Sequence, residues 1–162
     1  ATNSAQIKIE GYTEADAEVE YLVNSRKVIS EQTDESGFYK AVLDLEDGEN
    51  LIQVTARDQA GNESSSEPVK VVYDFKTPEI KIVSPTDGQE FFGVQKQNIS
   101  VYGEVSEADA NLKINNTFVR LDNNGLFDQQ VRLNEGENEI KLVATDMAGN
   151  LSEVVLKVSY VR

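Results

Sequence analysis

The side chains able to do chemistry in this chain are carboxylates, amides and hydroxyls. Histidine, cysteine and tryptophan are absent from its 162 residues. That removes the commonest general base, the thiolate nucleophile, and the imidazole and thiolate ligands that transition metals prefer. Among what is left, a facing pair of carboxylates in a cleft is all that a glycosidase needs. The 29 acidic residues do not supply such a pair by pattern, because they fall at turns and on outward strand positions, where they serve solvation. The chain therefore reads as a non-enzyme, with no catalytic residue to name.

The most conspicuous recurrence is "ARDQAGN" at 56–62 and "ATDMAGN" at 144–150, a repeated Asp-x-Ala-Gly-Asn. It reads as a repeated turn rather than a repeated site. Glycine takes a positive φ, asparagine tolerates one, and aspartate bonds the amides of its own turn. "QTDESG" at 32–37 and "RLDNNG" at 120–125 each supply only part of the alternating acids of a calcium-binding EF-hand loop. As hairpin turns they need no ion. The triplets starting at Asn62, Asn98, Asn115 and Asn150 match the glycosylation sequon, but they are equally the residues expected at turns.

Charge narrows the partners. A net charge of -14 with no basic cluster excludes nucleic-acid recognition and disfavours anionic membrane surfaces. No apolar run is long enough to span a bilayer, so direct membrane insertion is not expected. No signal peptide opens the sequence at Ala1, so a leader was removed or the chain is an excised piece.

The chain is a tandem repeat. "GYTEADAEV" (11–19) returns as "GEVSEADANL" (103–112), "SGFYKAVLDLEDGEN" (36–50) as "NGLFDQQVRLNEGEN" (124–138), and "KVVY" (70–73) as "KVSY" (157–160). Gly37, Gly48 and Gly61 recur a constant 88 residues on, at Gly125, Gly136 and Gly149, and one residue is lost thereafter. The boundary falls at "DFKTPEI", giving domains at 1–75 and 76–162.

Apolar residues alternate within each copy, as half-buried strands require. One face of each strand carries Phe127, Val131 and Leu133, then Ile140, Leu142 and Ala144, then Leu156, Val158 and Tyr160. The first copy offers Tyr39, Leu43 and Leu45, then Ile52, Val54 and Ala56, then Val69, Val71 and Tyr73. No segment keeps a helical period. Short strands punctuated by turns about every ten residues predict an all-β fold of two tandem immunoglobulin-like Greek-key sandwiches.

The "EADA" turn, the Gly-Phe strand start, the run "GEN-x-I-x-V-x-A-x-D-x-A-G-N" and the closing "V-x-Y" strand together resemble the bacterial immunoglobulin-like repeats of secreted and cell-surface proteins. The nearest type is glucodextranase domain B, whose relatives also serve as accessory modules beside carbohydrate-active enzymes. The second copy matches throughout, whereas the first has no counterpart of "TPEIKIVSPTDGQEFF", the opening A strand. Either the chain is cut inside a longer array or the first domain lacks that strand, and an absent A strand would leave a sheet edge open to another strand.

Tracing each sandwich up and down brings the acidic turns of the two copies towards one junction. Asp47, Glu49 and Asp74 would approach Glu107, Asp109, Asp122 and Asp146, so an interdomain calcium near Asp47, Asp74, Asp109 and Asp146 is a candidate cofactor. A solvated hinge is the alternative. Tyr12, Phe91 and Phe92 are the candidate sugar-stacking aromatics, although core or edge roles suit them better. No Lys, Asn and acid trio is spaced to single out an isopeptide bond.

The reading that results is a non-catalytic spacer or stalk segment of a larger extracellular or cell-surface bacterial protein. Pro78 would hold a short linker extended. Its partners would be neighbouring domains of the same polypeptide. The alternative is an adhesive or carbohydrate-binding accessory module with a cell-surface glycan or protein ligand.

Overall fold

The computed structural model describes all residues, 1–162, and divides them into two compact units, Ala1–Phe75 and Lys76–Arg162. The alternating apolar pattern makes each unit a two-sheet sandwich. A single 3-10 turn at Val94–Lys96 is the one helical element.

Unit 1 contains β1 (Gln6–Tyr12), β2 (Glu18–Val23), β3 (Arg26–Gln32), β4 (Phe38–Asp44), β5 (Gly48–Arg57), β6 (Glu63–Ser65) and β7 (Val69–Tyr73). One sheet runs β3-β2-β5, with β6 and β7 both laid antiparallel on β5. The other holds only β1 and β4, paired from Gln6 opposite Asp44 to Tyr12 opposite Phe38.

Unit 2 contains β8 (Ile80–Ser84), β9 (Glu90–Phe92), β10 (Asn98–Val105), β11 (Asn111–Ile114), β12 (Thr117–Val119), β13 (Leu126–Arg132), β14 (Gly136–Thr145) and β15 (Leu151–Val161). Its sheets run β13-β10-β8 and β12-β11-β14-β15-β9. A cis Ser84–Pro85 peptide bond follows β8, after which the chain crosses to the other sheet, where β9 runs parallel to β15.

The A strand expected to be missing is missing: β8 has no counterpart in unit 1. One residue of the crossing survives. Thr2 bridges Tyr73 in parallel, as Phe91 pairs with Tyr160 in unit 2.

The expected core faces point inward with one exception. Val69 is 60% exposed, whereas Leu156, its repeat partner, is 7% exposed. Proline explains the difference. Where unit 2 has the continuous eleven-residue β15, unit 1 has two short strands separated around Pro68, which cannot donate to a ladder. The extra residue that breaks the 88-residue spacing lies in this gap.

Candidate functional site

The repeated turns are the densest polar clusters in the chain. In unit 1 the Asp58 Oδ1 accepts the Asn62 amide at 2.8 Å, its Oδ2 accepts the Asn62 side-chain amide at 2.6 Å, and the Asp58 amide donates to the Asn62 carbonyl at 3.0 Å. In unit 2 the Asp146 Oδ1 accepts the Ala148 and Asn150 amides, both at 2.8 Å, and its Oδ2 accepts the Asn150 side chain at 2.8 Å. Gly61 and Gly149 sit at φ of 90° and 93°, a region that favours glycine. The motif thus closes on itself.

The two copies differ in setting. Asp58 is half-buried and Asn62 exposed, while Asp146 is 5% exposed and Asn150 is buried with it. Burial pulls the Asp146 carboxyl upward, but the bonds it accepts from Asn150, Ala148 and Gly149 outweigh that and hold it below the ordinary carboxylate range. Bonds from Asn62, side chain then backbone, do the same at Asp58.

The other acidic turns follow the same rule. Asp34 Oδ1 accepts the Ser36 and Phe38 amides at 2.8 and 3.0 Å, and Asp122 Oδ1 accepts those of Asn124 and Leu126 at 2.8 and 2.9 Å. At Gly37 and Gly125 the backbone is at φ of 77° and 78°, and a Cβ would stand within about 2 Å of the Thr13 or Val105 carbonyl oxygen. These loops are tight turns closed by their own aspartates, but they are not the hairpins the sequence suggests: each carries the chain from one sheet of its sandwich to the other, from β3 to β4 and from β12 to β13.

Within unit 2 the turns after β10, before β13 and after β14 gather at one end, as the up-and-down trace expects: the Val105 amide donates to the Gly125 carbonyl, and Asn111 pairs with Thr145. The chain enters at that end, since the Ser106 amide donates to the Glu79 carbonyl. It leaves at the other, where Tyr160 pairs with Gly136. In unit 1 Gly48 pairs with Tyr73, which likewise puts the "EDGEN" turn beside the exit.

Of the residues expected near a cation, Asp47 and Asp109 are exposed in turns, Asp74 is half-buried just after β7, and Asp146 has its carboxylate engaged by its own turn. Within either unit, no three acidic side chains converge to hold a metal. Of the aromatics, Tyr12 is 73% exposed and stacks at a tilt on Phe38 with ring centroids 5.2 Å apart. Phe91 instead packs against the unit 2 core, and Phe92 is exposed.

Sequence reasoning missed two asparagines that clamp strands. Asn24 and Asn115, at positive φ in the hairpins after β2 and β11, accept the Leu51 and Lys141 amides at 2.9 Å. Their common neighbourhood, "VNSR" and "INNT", was the available signal. It also missed Tyr21, buried and donating to Glu31, a carboxylate that accepts the Lys40 amide at 2.9 Å as well. Burial and then this bond push the Tyr21 hydroxyl above its ordinary range.

These self-contained turns on two sandwiches have a family. The glucodextranase domain B model matches residues 1–75 and again 78–160. The chain belongs to that family, twice over. It is 30% identical over 151 residues to bacillopeptidase F of Bacillus subtilis (strain 168), a match that covers 92% of this chain and 10% of that protein. The chain thus spans about a tenth of that relative's length.

Among solved structures, the fibronectin(III)-like modules of Clostridium thermocellum CbhA superpose with a TM-score of 0.59 at 15% identity, over 98% of this chain and 87% of that one. A 1.5-MDa bacterial ice-binding adhesin, described for host cell surface retention, gives 0.48 at 15% identity, over 96% of this chain and 58% of that chain. The CbhA likeness shows the fold, an immunoglobulin- or fibronectin-like module of the kind found in multidomain proteins. No helix of the chain is long and apolar enough to cross a membrane.

Proposed function

We propose that the chain is a non-catalytic spacer made of two such domains, 1–75 and 76–162, within a larger extracellular or cell-surface bacterial protein. The observation that carries this reading is topological: in unit 2 the polypeptide enters at one end of the sandwich and leaves at the other. A module built so adds its length to the polypeptide, about 26 Å for an eight-residue strand. The aspartates of the repeated turns, Asp34, Asp58, Asp122 and Asp146, are taken up by the turns themselves. The direct partners on this reading are neighbouring domains of the same polypeptide.

Scattering from the chain in solution tests it. An elongated particle that is inert towards glycan arrays and cell-wall preparations is the expected result; a compact particle would overturn the reading.

One observation favours a second reading, that of an adhesive or carbohydrate-binding module. Tyr12 and Phe38 form a tilted aromatic pair with the Tyr12 ring exposed, and an exposed ring offers an apolar face on which a sugar could stack. Glycan binding that disappears in Tyr12→Ala would establish it.

A further inference from the structure

The connection from β12 to β13 carries the one asparagine of the chain that glycine follows, Asn124–Gly125. Such a pair sets an amide nitrogen with no side chain in its way beside a carboxamide carbon, and the nitrogen can attack that carbon to close a succinimide ring. Asn124 is exposed, and while its backbone amide donates to Asp122 Oδ1 at 2.8 Å, its side chain bonds nothing.

The turn holds the glycine back. Its amide donates to the Asp122 carbonyl at 3.0 Å, and its carbonyl accepts the Val105 amide at 2.8 Å. Gly125 is buried at a φ of 78°, and a Cβ there would stand 2.1 Å from the Val105 carbonyl oxygen. The Asp122 amide and the Leu126 carbonyl close the loop at 2.9 Å. A nitrogen fixed in this way has its proton engaged and cannot swing towards the Asn124 Cγ, so ring closure waits for the turn to open. The matching turn of unit 1 has no such pair. Ser36 stands in the place of Asn124, its hydroxyl donates to Asp34 Oδ1 at 2.5 Å, and a hydroxyl cannot close the ring.

We propose that Asn124 is a site of spontaneous deamidation whose rate is set by the opening of its own turn. In the open turn hydroxide removes the Gly125 amide proton, the nitrogen bonds to the Asn124 Cγ, the Cγ–Nδ2 bond breaks, and ammonia leaves with a proton from water. Water then opens the imide at either carbonyl, which leaves aspartate or isoaspartate at position 124. One amide is hydrolysed, and nothing is oxidised or reduced. Isoaspartate adds a methylene to the main chain ahead of Gly125, beside a Val105 carbonyl that leaves no room even for a Cβ. The marked turn cannot restore both Gly125 bonds, so unit 2 keeps a permanent trace of having opened and unit 1 does not.

The test incubates the full chain in mildly alkaline buffer, folded and in urea, follows its peptides by mass, and labels isoaspartate with an isoaspartyl methyltransferase. In urea, conversion at Asn124 ahead of every other asparagine is the expected result. In the folded chain the rate should be lower by about tenfold or more, and by the same factor as amide exchange at Gly125. Asp122→Ala should raise the folded rate, and Asn124→Ser, which installs the unit 1 residue, should remove the signal with the fold intact. The comparison with Gly125 exchange needs no variant, so the test stands even where Asp122→Ala does not fold. Equal rates in the folded chain and in urea, or first conversion at another asparagine, overturn the proposal. So does a folded rate slowed by a factor unlike that of Gly125 exchange.

Discussion

Unit 1 and unit 2 share the aspartate side-chain bonds of their turns to within about 0.2 Å, yet they do not share a core. Fifteen buried residues form the apolar cluster of unit 2, and eight form that of unit 1. The missing β8 accounts for part of this, and the break at Pro68, which leaves Val69 in water, for more. Hydrogen-bonded turns set which way the chain goes. How much apolar area the strands then cover sets how firmly it stays there.

Core truncation probes that contrast most strongly. Ile140→Ala should cost about 4 kcal/mol in chemical denaturation of unit 2, near the upper end for a fully buried site, and Ile52→Ala about 3 kcal/mol in unit 1. Equal losses would mean that the thinner core packs as tightly. Next come the paired glycines: Gly103→Ala forces a Cβ against β8 backbone and should cost about 3 kcal/mol, while Gly11→Ala meets only the movable Tyr39 tip and should cost about 1 kcal/mol.

The two Asp turns give a smaller effect. Asp146→Ala leaves buried amides without an acceptor and should cost about 2 kcal/mol, with a lesser loss for Asp58→Ala, whose turn is less covered. The Asp146 carboxyl titrates lower when folded than the ordinary 3.8 of the unfolded chain. Its contribution is therefore complete above that value and disappears as pH falls through the depressed folded pKa. Acid titration of unit 2 stability should accordingly be flatter below about pH 4 in Asp146→Asn than in the native chain. Smallest of all, removing the exposed Lys157–Glu139 pair should change stability by less than about 0.5 kcal/mol.

The turns were legible in the sequence because their chemistry is local: an aspartate, the amides that follow it and a glycine at fixed spacing determine the loop wherever it stands. The alternating faces were legible for the same reason, down to the buried Ile140, Leu142 and Ala144. What escaped was set by distant neighbours. Asp58 and Asp146 read identically, yet one is half-buried and the other is buried. Val69 fits the inward pattern, but its place is decided by Pro68 and the register on β5. The candidate cation and sugar-stacking residues were chosen by charge and type alone. The turn role of Asp146 and the core role of Phe91, each set beside those candidacies in the sequence, are the ones the structure bears out.

The parallel pairing near each unit's start also fixes how the chain bears load. In unit 2, β9 lies along β15 and is reinforced by bonds from Gly88 to Lys157, Ser159 to Gln89, and Gly93 to Val161, at 2.7 to 3.0 Å. Tension along the polypeptide must slide that whole row of bonds at once. In unit 1 Thr2 takes up the equivalent parallel pairing, through one bond to Val72 and one from Asp74, each 2.9 Å. Unit 2 pulled by its two ends is therefore loaded in shear across the β9–β15 pair.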